Sequence, residues 1–240
     1  LRSHADELCK MSVEMESTPS CAMMRRAAMR LTLEEVSALP HSQRARDQPI
    51  PHAYWGAATG PFARALRDAA AGAGGRPVRC RSFDILPAGP EVEFADQASP
   101  PADNWGIAEG SVDTMSAIAN LTNVRDLPGF YYTCARLLRR GSGALLLVQP
   151  LNFLSAGMAL RGVGAAEGLF EAKLLRFDDL PAWDKGDGPT RVLELVLRRT
   201  MRPIVAPAGA PDMLRRFLSP LCPPPRGPAA GRGGADDAAD

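Results

Sequence analysis

Ser111-Val-Asp-Thr-Met-Ser-Ala-Ile-Ala-Asn-Leu-Thr-Asn123 and Arg139-Arg-Gly-Ser-Gly-Ala-Leu-Leu-Leu-Val-Gln-Pro150 bracket the part of the chain that decides its fold. Each holds an apolar run of strand length. Between them Leu127, Phe130, Tyr131, Cys134, Leu137 and Leu138 fall at offsets 0, 3, 4, 7, 10 and 11. That spacing is one stripe of a 3.6-residue period, so it predicts a helix with a single apolar face. Asp126 stands where an N-cap belongs and Pro128 lies in the first turn. Arg136, Arg139 and Arg140 crowd the last turn, where cations suit the helix dipole, and Gly141 is placed to stop it. Ala144 to Val148 is a continuous apolar run, as expected of a parallel strand buried on both faces. Strand, helix and strand make a βαβ unit, which places the chain in the α/β class.

The same residues carry a family resemblance. Ser111 to Pro150 resembles the fourth strand, following helix and fifth strand of class I S-adenosylmethionine-dependent methyltransferases. In that family an aspartate opens strand four, another precedes the helix, and an Ala-Arg-Leu run with glycine leads into strand five. Asp113, Asp126, Ala135-Arg136-Leu137-Leu138 and Gly141 fill those places. Ser142 replaces a second glycine, and Thr122 and Asn123 stand where histidines are common. The likeness covers about forty residues, and a bare βαβ unit also occurs in many other folds. It implies a Rossmann-like methyltransferase sheet, mostly parallel, with a C-terminal antiparallel hairpin and helices on both faces.

Composition narrows the partners. Lys and Arg total 28 against 27 Asp and Glu, with the arginines scattered. Neither nucleic acid nor an anionic membrane is therefore expected to bind by charge. No apolar run approaches the roughly 18 residues of a membrane-spanning helix. The five cysteines, Cys9, Cys21, Cys80, Cys134 and Cys222, form no C-x-x-C pair. With only His4, His41 and His52 beside them, they predict a reduced cytoplasmic protein and no metal centre. Cys134 lies on the helix stripe and is expected to pack in the core. The chain opens on Leu1, as a fragment or a processed product would.

Four regions follow from the pattern. Residues 1–48 read as a helical N-terminal appendage, 49–200 as the methyltransferase-like domain, 201–221 as a short helical extension and 222–240 as a disordered tail. Thr32-Leu-Glu-Glu35 has the form of a capping box. Asp6, Glu7, Glu14 and Glu16 argue against a transit peptide, so a helix over the cofactor mouth or on the domain edge is expected. Late in the domain, Ala172–Phe177 and Arg191–Leu197 read as strands separated by thirteen residues rich in Pro and Gly. That gap is short for a helical crossover, so the two are expected to pair antiparallel. The tail is Pro, Gly and Ala with Asp, too poor in apolar surface to offset its ordering entropy.

In an open α/β sheet, ligands bind beyond the carboxyl ends of the strands. The resemblance implies a glycine-rich turn after strand one, whose backbone approaches the methionyl part of S-adenosyl-L-methionine. Tyr54-Trp-Gly-Ala-Ala-Thr-Gly60 occupies that place. Gly56 and Gly60 match the family's acid-x-G-x-G-x-G, while Ala58 replaces the central glycine and Tyr54 the acid that usually orders the cofactor's amine end. The strand before the turn is interrupted by Pro51 and His52. Asp84 lies 24 residues beyond Gly60, and the resemblance assigns it both ribose hydroxyls. Arg79 and Arg81 in the same strand imply a thinly covered face. Glu91–Gln97 resembles strand three, with Asp96 at its end for the adenine amino group and Gln97 beside it as a further cofactor contact. Only twelve residues separate Asp84 from Asp96, so the helix that normally joins those strands is lost or reduced to a turn. Strand four is expected to end near Ala119, which puts Asn120, Thr122 and Asn123 at the mouth as substrate contacts. Trp105 and Trp183 are candidates for the pocket wall.

No residue is marked as a catalytic base. Methyl transfer from a sulfonium can run on approximation and alignment alone, so that absence does not exclude an enzyme. The leading expectation is S-adenosylmethionine-dependent methyl transfer to a small-molecule acceptor by in-line displacement. The alternative is a catalytically degenerate domain that keeps the fold for binding or scaffolding, favoured by Tyr54, Ala58 and the short strand two to three connection. A dinucleotide oxidoreductase would need G-x-G-x-x-G after the first strand, and the chain lacks it. It also lacks G-x-x-x-x-G-K-[ST], H-E-x-x-H and G-x-S-x-G, the signatures of phosphate-loop, zinc-protease and serine-hydrolase sites.

Overall fold

The computed structural model describes residues 18–39, 48–57, 59–72, 76–85, 87–95, 106–119, 124, 127–150, 168–180 and 190–204, with Lys10 and Glu14. The side chains of 178–180 and 190–191 are outside that description. The tail expected at 222–240 is outside it too, as is the expected helical extension 201–221 beyond Ile204; residues 201–204 are not helical.

Helix α1 (Pro19–Ala38) comes first, then β1 (Ile50–Trp55), α2 (Pro61–Gly72), β2 (Val78–Asp84) and β3 (Val92–Phe94). The βαβ unit follows as β4 (Thr114–Ile118), α3 (Leu127–Leu137) and β5 (Ala144–Pro150), and the hairpin strands β6 (Phe170–Leu180) and β7 (Thr190–Arg199) close the sheet. All seven strands lie in one sheet of order β3-β2-β1-β4-β5-β7-β6. Strands β1 to β5 pair in parallel, whereas β7 pairs antiparallel with both β5 and β6. The antiparallel hairpin is thus present, with both strands longer than the pattern implied. The reason is geometric: a short connection can reverse direction but cannot carry the chain back across the sheet.

The two helical crossovers leave the middle of the sheet in opposite directions, β1 to β2 and β4 to β5. Right-handed connection then puts α2 and α3 on opposite faces. Helix α1 joins α2 on one face, where Met24, Ala28 and Leu31 pack with Phe62 and Leu66 over Ile50, Leu146, Val148 and Val196. Of the stripe read from sequence, Phe130, Tyr131, Cys134 and Leu137 of α3 are inside and Leu127 is partly buried, but Tyr132, Thr133 and Ala135 are buried too, so the helix is covered on more than one face.

Several local expectations fail for identifiable reasons. Thr32 and Glu35 do not cap a helix; both lie inside α1. The Thr32 hydroxyl donates to the Ala28 carbonyl at 2.7 Å, and buried Glu35 accepts from Lys173 of β6 and Arg198 of β7. The cap is Thr18, whose hydroxyl oxygen accepts from the Cys21 amide at 3.3 Å, with Pro19 in the first turn. Helix α3 ends at Leu137, before Gly141. Arg136 and Arg139 serve ion pairs with Glu109 and Asp113, at 2.5 and 2.6 Å, in addition to any dipole effect.

Pro51 and His52 do not interrupt β1, a central strand. The Pro51 carbonyl accepts from the Asp113 amide on the β4 side, but β4 pairing begins only at His52 and Thr114. The missing proline donor therefore falls before that ladder starts, where it costs little. His52 is buried with Nδ1 2.8 Å from the Thr114 hydroxyl and Nε2 2.9 Å from the Ser116 hydroxyl. Burial without a counter-charge pulls its pKa down to about 3, so the ring is neutral.

Candidate functional site

Beta strands β1 and β4 are neighbours whose crossovers diverge, and the crevice beyond their carboxyl ends is the topological switch point of the sheet. At the end of β1 the chain turns sharply at Gly56, φ 72°, and again at Gly60, φ 81°, conformations that suit glycine. The Gly56 and Ala57 amides both donate to the Phe83 carbonyl, at 3.0 and 3.2 Å. That double bond fastens the turn to the end of β2, one residue before Asp84. The Gly60 amide donates to the Ala57 carbonyl at 2.7 Å, and α2 begins at Pro61. Tyr54, standing where the family has its acid, is buried with its ring 4.6 Å from that of Phe62 in α2.

Asp84 is the last residue of β2 and is partly exposed. Ile85 beside it and Phe94, its register partner on β3, are both exposed apolar side chains. Among the described residues no helix joins β2 to β3, as the short spacing implied. Arg79 is exposed, while Arg81 grips Glu93 at 2.6 and 2.8 Å and donates to the Gly106 carbonyl. The hydrogen bonds from Arg81 hold the Glu93 carboxyl below its usual range.

Strand β4 ends at Ile118, and Ala119 follows with φ 54°, the only non-glycine of positive φ among the described residues. An alanine there carries a modest steric cost, of the kind that collects at functional sites. The conformation is held by the Ala119 amide, which donates to the Val148 carbonyl at 2.9 Å. Beside it the buried Gln149 amide donates to the Ala117 carbonyl at 3.0 Å and ties β5 to β4 at the same end of the sheet. The sequence marks Ala119 only as a strand end, because alanine gives no signal of a left-handed backbone. Gln149 has a weak one, a polar residue closing an apolar run.

Of the expected site residues, Gly56, Gly60 and Asp84 meet at the adjacent ends of β1 and β2. Ala58, Asp96, Gln97, Asn120, Thr122 and Asn123 lie outside the described residues, as do Trp105 and Trp183. No group of three or more metal-ligating side chains occurs among the described residues, and no described helix is long and apolar enough to cross a membrane. Cys134 is buried on α3, and burial pushes its thiol well above the usual range.

No family model matches the sequence, and no curated protein is detectably similar to it. Solved structures are similar in fold. The DszA carbon methyltransferase superposes with a TM-score of 0.54 at 16% identity, over 80% of this chain and 57% of that one. The chain thus spans a little over half the length of that relative. A putative sarcosine dimethylglycine methyltransferase from Galdieria sulphuraria gives 0.51 at 13% identity, covering 76% of this chain and 87% of the other. The [4+2]-cyclase SpnF gives 0.50 at 14% identity, covering 74% and 82%. Strand order, the terminal antiparallel pair and these superpositions agree: the chain has the class I S-adenosylmethionine-dependent methyltransferase fold.

Proposed function

We propose that the protein transfers a methyl group from S-adenosylmethionine to a small-molecule acceptor by in-line displacement. The observation that carries this reading is the fastening of the Gly56–Gly60 turn to the Phe83 carbonyl, directly beside Asp84. It puts a glycine turn at the end of β1 next to a strand-end carboxylate on the neighbouring β2. In this reading Gly56, Ala58 and Gly60 wrap the methionyl part, Asp84 accepts from the ribose hydroxyls, and Ile85 offers apolar surface to the adenine. Asp96 and Gln97 take the adenine amino group, and Asn120, Thr122 and Asn123, led in by the bend at Ala119, orient the acceptor.

Three amides of the turn are poorly placed to hold a pyrophosphate. The amides of Gly56, Ala57 and Gly60 are already spent on backbone carbonyls, so they are not available to cradle phosphate oxygens. The bound cofactor would supply an electrophilic methyl on a sulfonium. The protein's task is to hold the acceptor in line with that bond and keep water out, which requires alignment more than proton transfer. Thermal unfolding with S-adenosylhomocysteine tests the reading. Ligand at about a hundred times its Kd adds about 2.7 kcal/mol of stability, or roughly 5–10 °C for a domain of this size. No shift at millimolar ligand defeats it.

A second reading, a binding or scaffold domain without methyl transfer, is favoured by Tyr54, which is buried under α2 in place of the family's acid. SpnF, a cyclase by name, has a similar fold, so the fold alone does not select methyl transfer. A stabilising shift with the homocysteine product, but no transfer of labelled methyl to any of a panel of small nucleophiles, favours this reading.

A further inference from the structure

The connection from β2 to β3 touches the glycine turn more closely than a side chain would permit. A Cβ at Gly89 would lie 2.3 Å from the Thr59 carbonyl oxygen, 2.8 Å from its carbon and 3.0 Å from the Thr59 Cα. Just beyond, a Cβ at Gly60 would meet Val92 Cγ2 at 3.1 Å. The segment Pro87-Ala-Gly-Pro-Glu91 is itself stiff and anchored. Its two prolines fix φ at their own positions, and Pro90 also restricts Gly89. Glu91 accepts from Arg67 of α2 at 2.7 Å, and the Val92 amide donates to the Gly89 carbonyl at 3.1 Å on the way into β3. The turn is therefore hydrogen-bonded to the Phe83 carbonyl at its start and closely packed against the Gly89 backbone near its end.

We infer that Pro87–Glu91 is a backbone brace that sets the shape of the Gly56–Gly60 turn, and that Gly89 is a positioning residue for cofactor binding. The inference rests on the methyltransferase reading above. A turn held in one shape before the ligand arrives has less conformational freedom to lose on binding, so the brace raises affinity by preorganisation. A methyl group at residue 89 must displace the strap or the turn by close to the size of the overlap. Displacements of that size in a positioned site cost about tenfold or more.

The test combines calorimetric titration of S-adenosylhomocysteine with amide hydrogen exchange at Gly60. Gly89→Ala is expected to raise Kd about tenfold or more and to speed Gly60 exchange by a similar factor. Glu91→Gln, which only loosens an exposed ion pair, is expected to change both by about two- to threefold. Gly143→Ala is the matched control: its Cβ would lie 2.8 Å from the Arg139 amide nitrogen and carbonyl oxygen, at the opposite end of the sheet. It is expected to lower Tm while leaving Kd and Gly60 exchange unchanged. If the parent protein binds and Gly89→Ala matches it in both measurements, the brace is refuted while the methyltransferase reading stands. If Gly143→Ala weakens binding as much as Gly89→Ala, general destabilisation explains the effect and the inference also falls. Should Gly89→Ala fail to fold, Glu91→Gln decides, and parental values in both measurements overturn the brace. A parent protein that binds no S-adenosylhomocysteine at millimolar concentration overturns the methyltransferase reading and the role of Gly89 together.

Discussion

Acidification from about pH 7.5 to about pH 4.5 should cost the protein about 2.7 kcal/mol through His52 alone. In the folded state the ring is buried between the Thr114 and Ser116 hydroxyls, and its pKa is lowered to about 3. In the unfolded chain it titrates near 6.5. The hydroxyls could accept hydrogen bonds from a protonated ring, so the cost comes from burying charge and not from losing partners. The sign is fixed by the depressed folded pKa. Above about 6.5 both states are neutral and the stabilisation is complete. Below that pH the unfolded state binds a proton that the folded state refuses, and stability falls by about 1.4 kcal/mol per pH unit until the folded ring titrates. Urea unfolding followed by circular dichroism at both pH values gives the total loss, which includes other titrating groups. His52→Gln removes only this titration and retains an amide able to reach a hydroxyl. The parent should lose about 2.7 kcal/mol more than the variant across that interval. Parallel losses in the two proteins would refute the assignment of a neutral, charge-excluding site.

Three further outcomes follow from the same structure. If the protein binds S-adenosylhomocysteine, Asp84→Ala should weaken calorimetric binding by roughly ten- to a hundredfold, and Asp84→Asn less. Arg199 is fully buried at the end of β7, and its guanidinium donates to the carbonyls of Ala135, Leu169, Thr200 and Arg202. Lysine cannot reproduce that planar set of donors, so Arg199→Lys should cost about 2–4 kcal/mol in urea unfolding; a change below about 0.5 kcal/mol would show that the acceptors find other donors. Cys134 is buried and its thiol is pushed well above the usual range, so it should resist a maleimide at neutral pH until urea unfolds the protein, as peptide mass mapping would reveal.

What could be read from sequence was what depends on neighbours a few residues away. The stripe from Leu127 to Leu138 and the short gap before Arg191 are local patterns, and they yielded α3 and the antiparallel hairpin. Asp84 could be placed at a strand end because the methyltransferase resemblance puts a carboxylate there, 24 residues beyond Gly60, and β2 does end on it. Features set by distant contacts were hidden. His52 looks like a strand breaker until Thr114 and Ser116, 62 and 64 residues later, provide its hydrogen bonds. Thr32 and Glu35 have the spacing of a cap, but Glu35 is engaged by Lys173 and Arg198, more than 130 residues away. The bend at Ala119 is imposed by tertiary structure on a residue with no preference for it. Within the site, the glycine turn could be located but not its clamp, because nothing near Gly89 in sequence indicates that it backs onto Thr59.

The place of α1 in the core has a consequence for the order of events on the ribosome. Met24, Ala28 and Leu31 of α1 share a core with Ile118, Leu146, Val148, Val192 and Val196. Within this chain the helix is synthesised before every strand it packs on, and the end of β7 is 161 residues behind Ala38. At roughly 5–20 residues per second, its apolar side waits roughly 8–30 seconds for the last of its partners to be synthesised. Folding of this face is therefore completed only after β7 has been made. During that interval the apolar side of α1 is exposed on the nascent chain, the kind of surface that makes chaperones necessary.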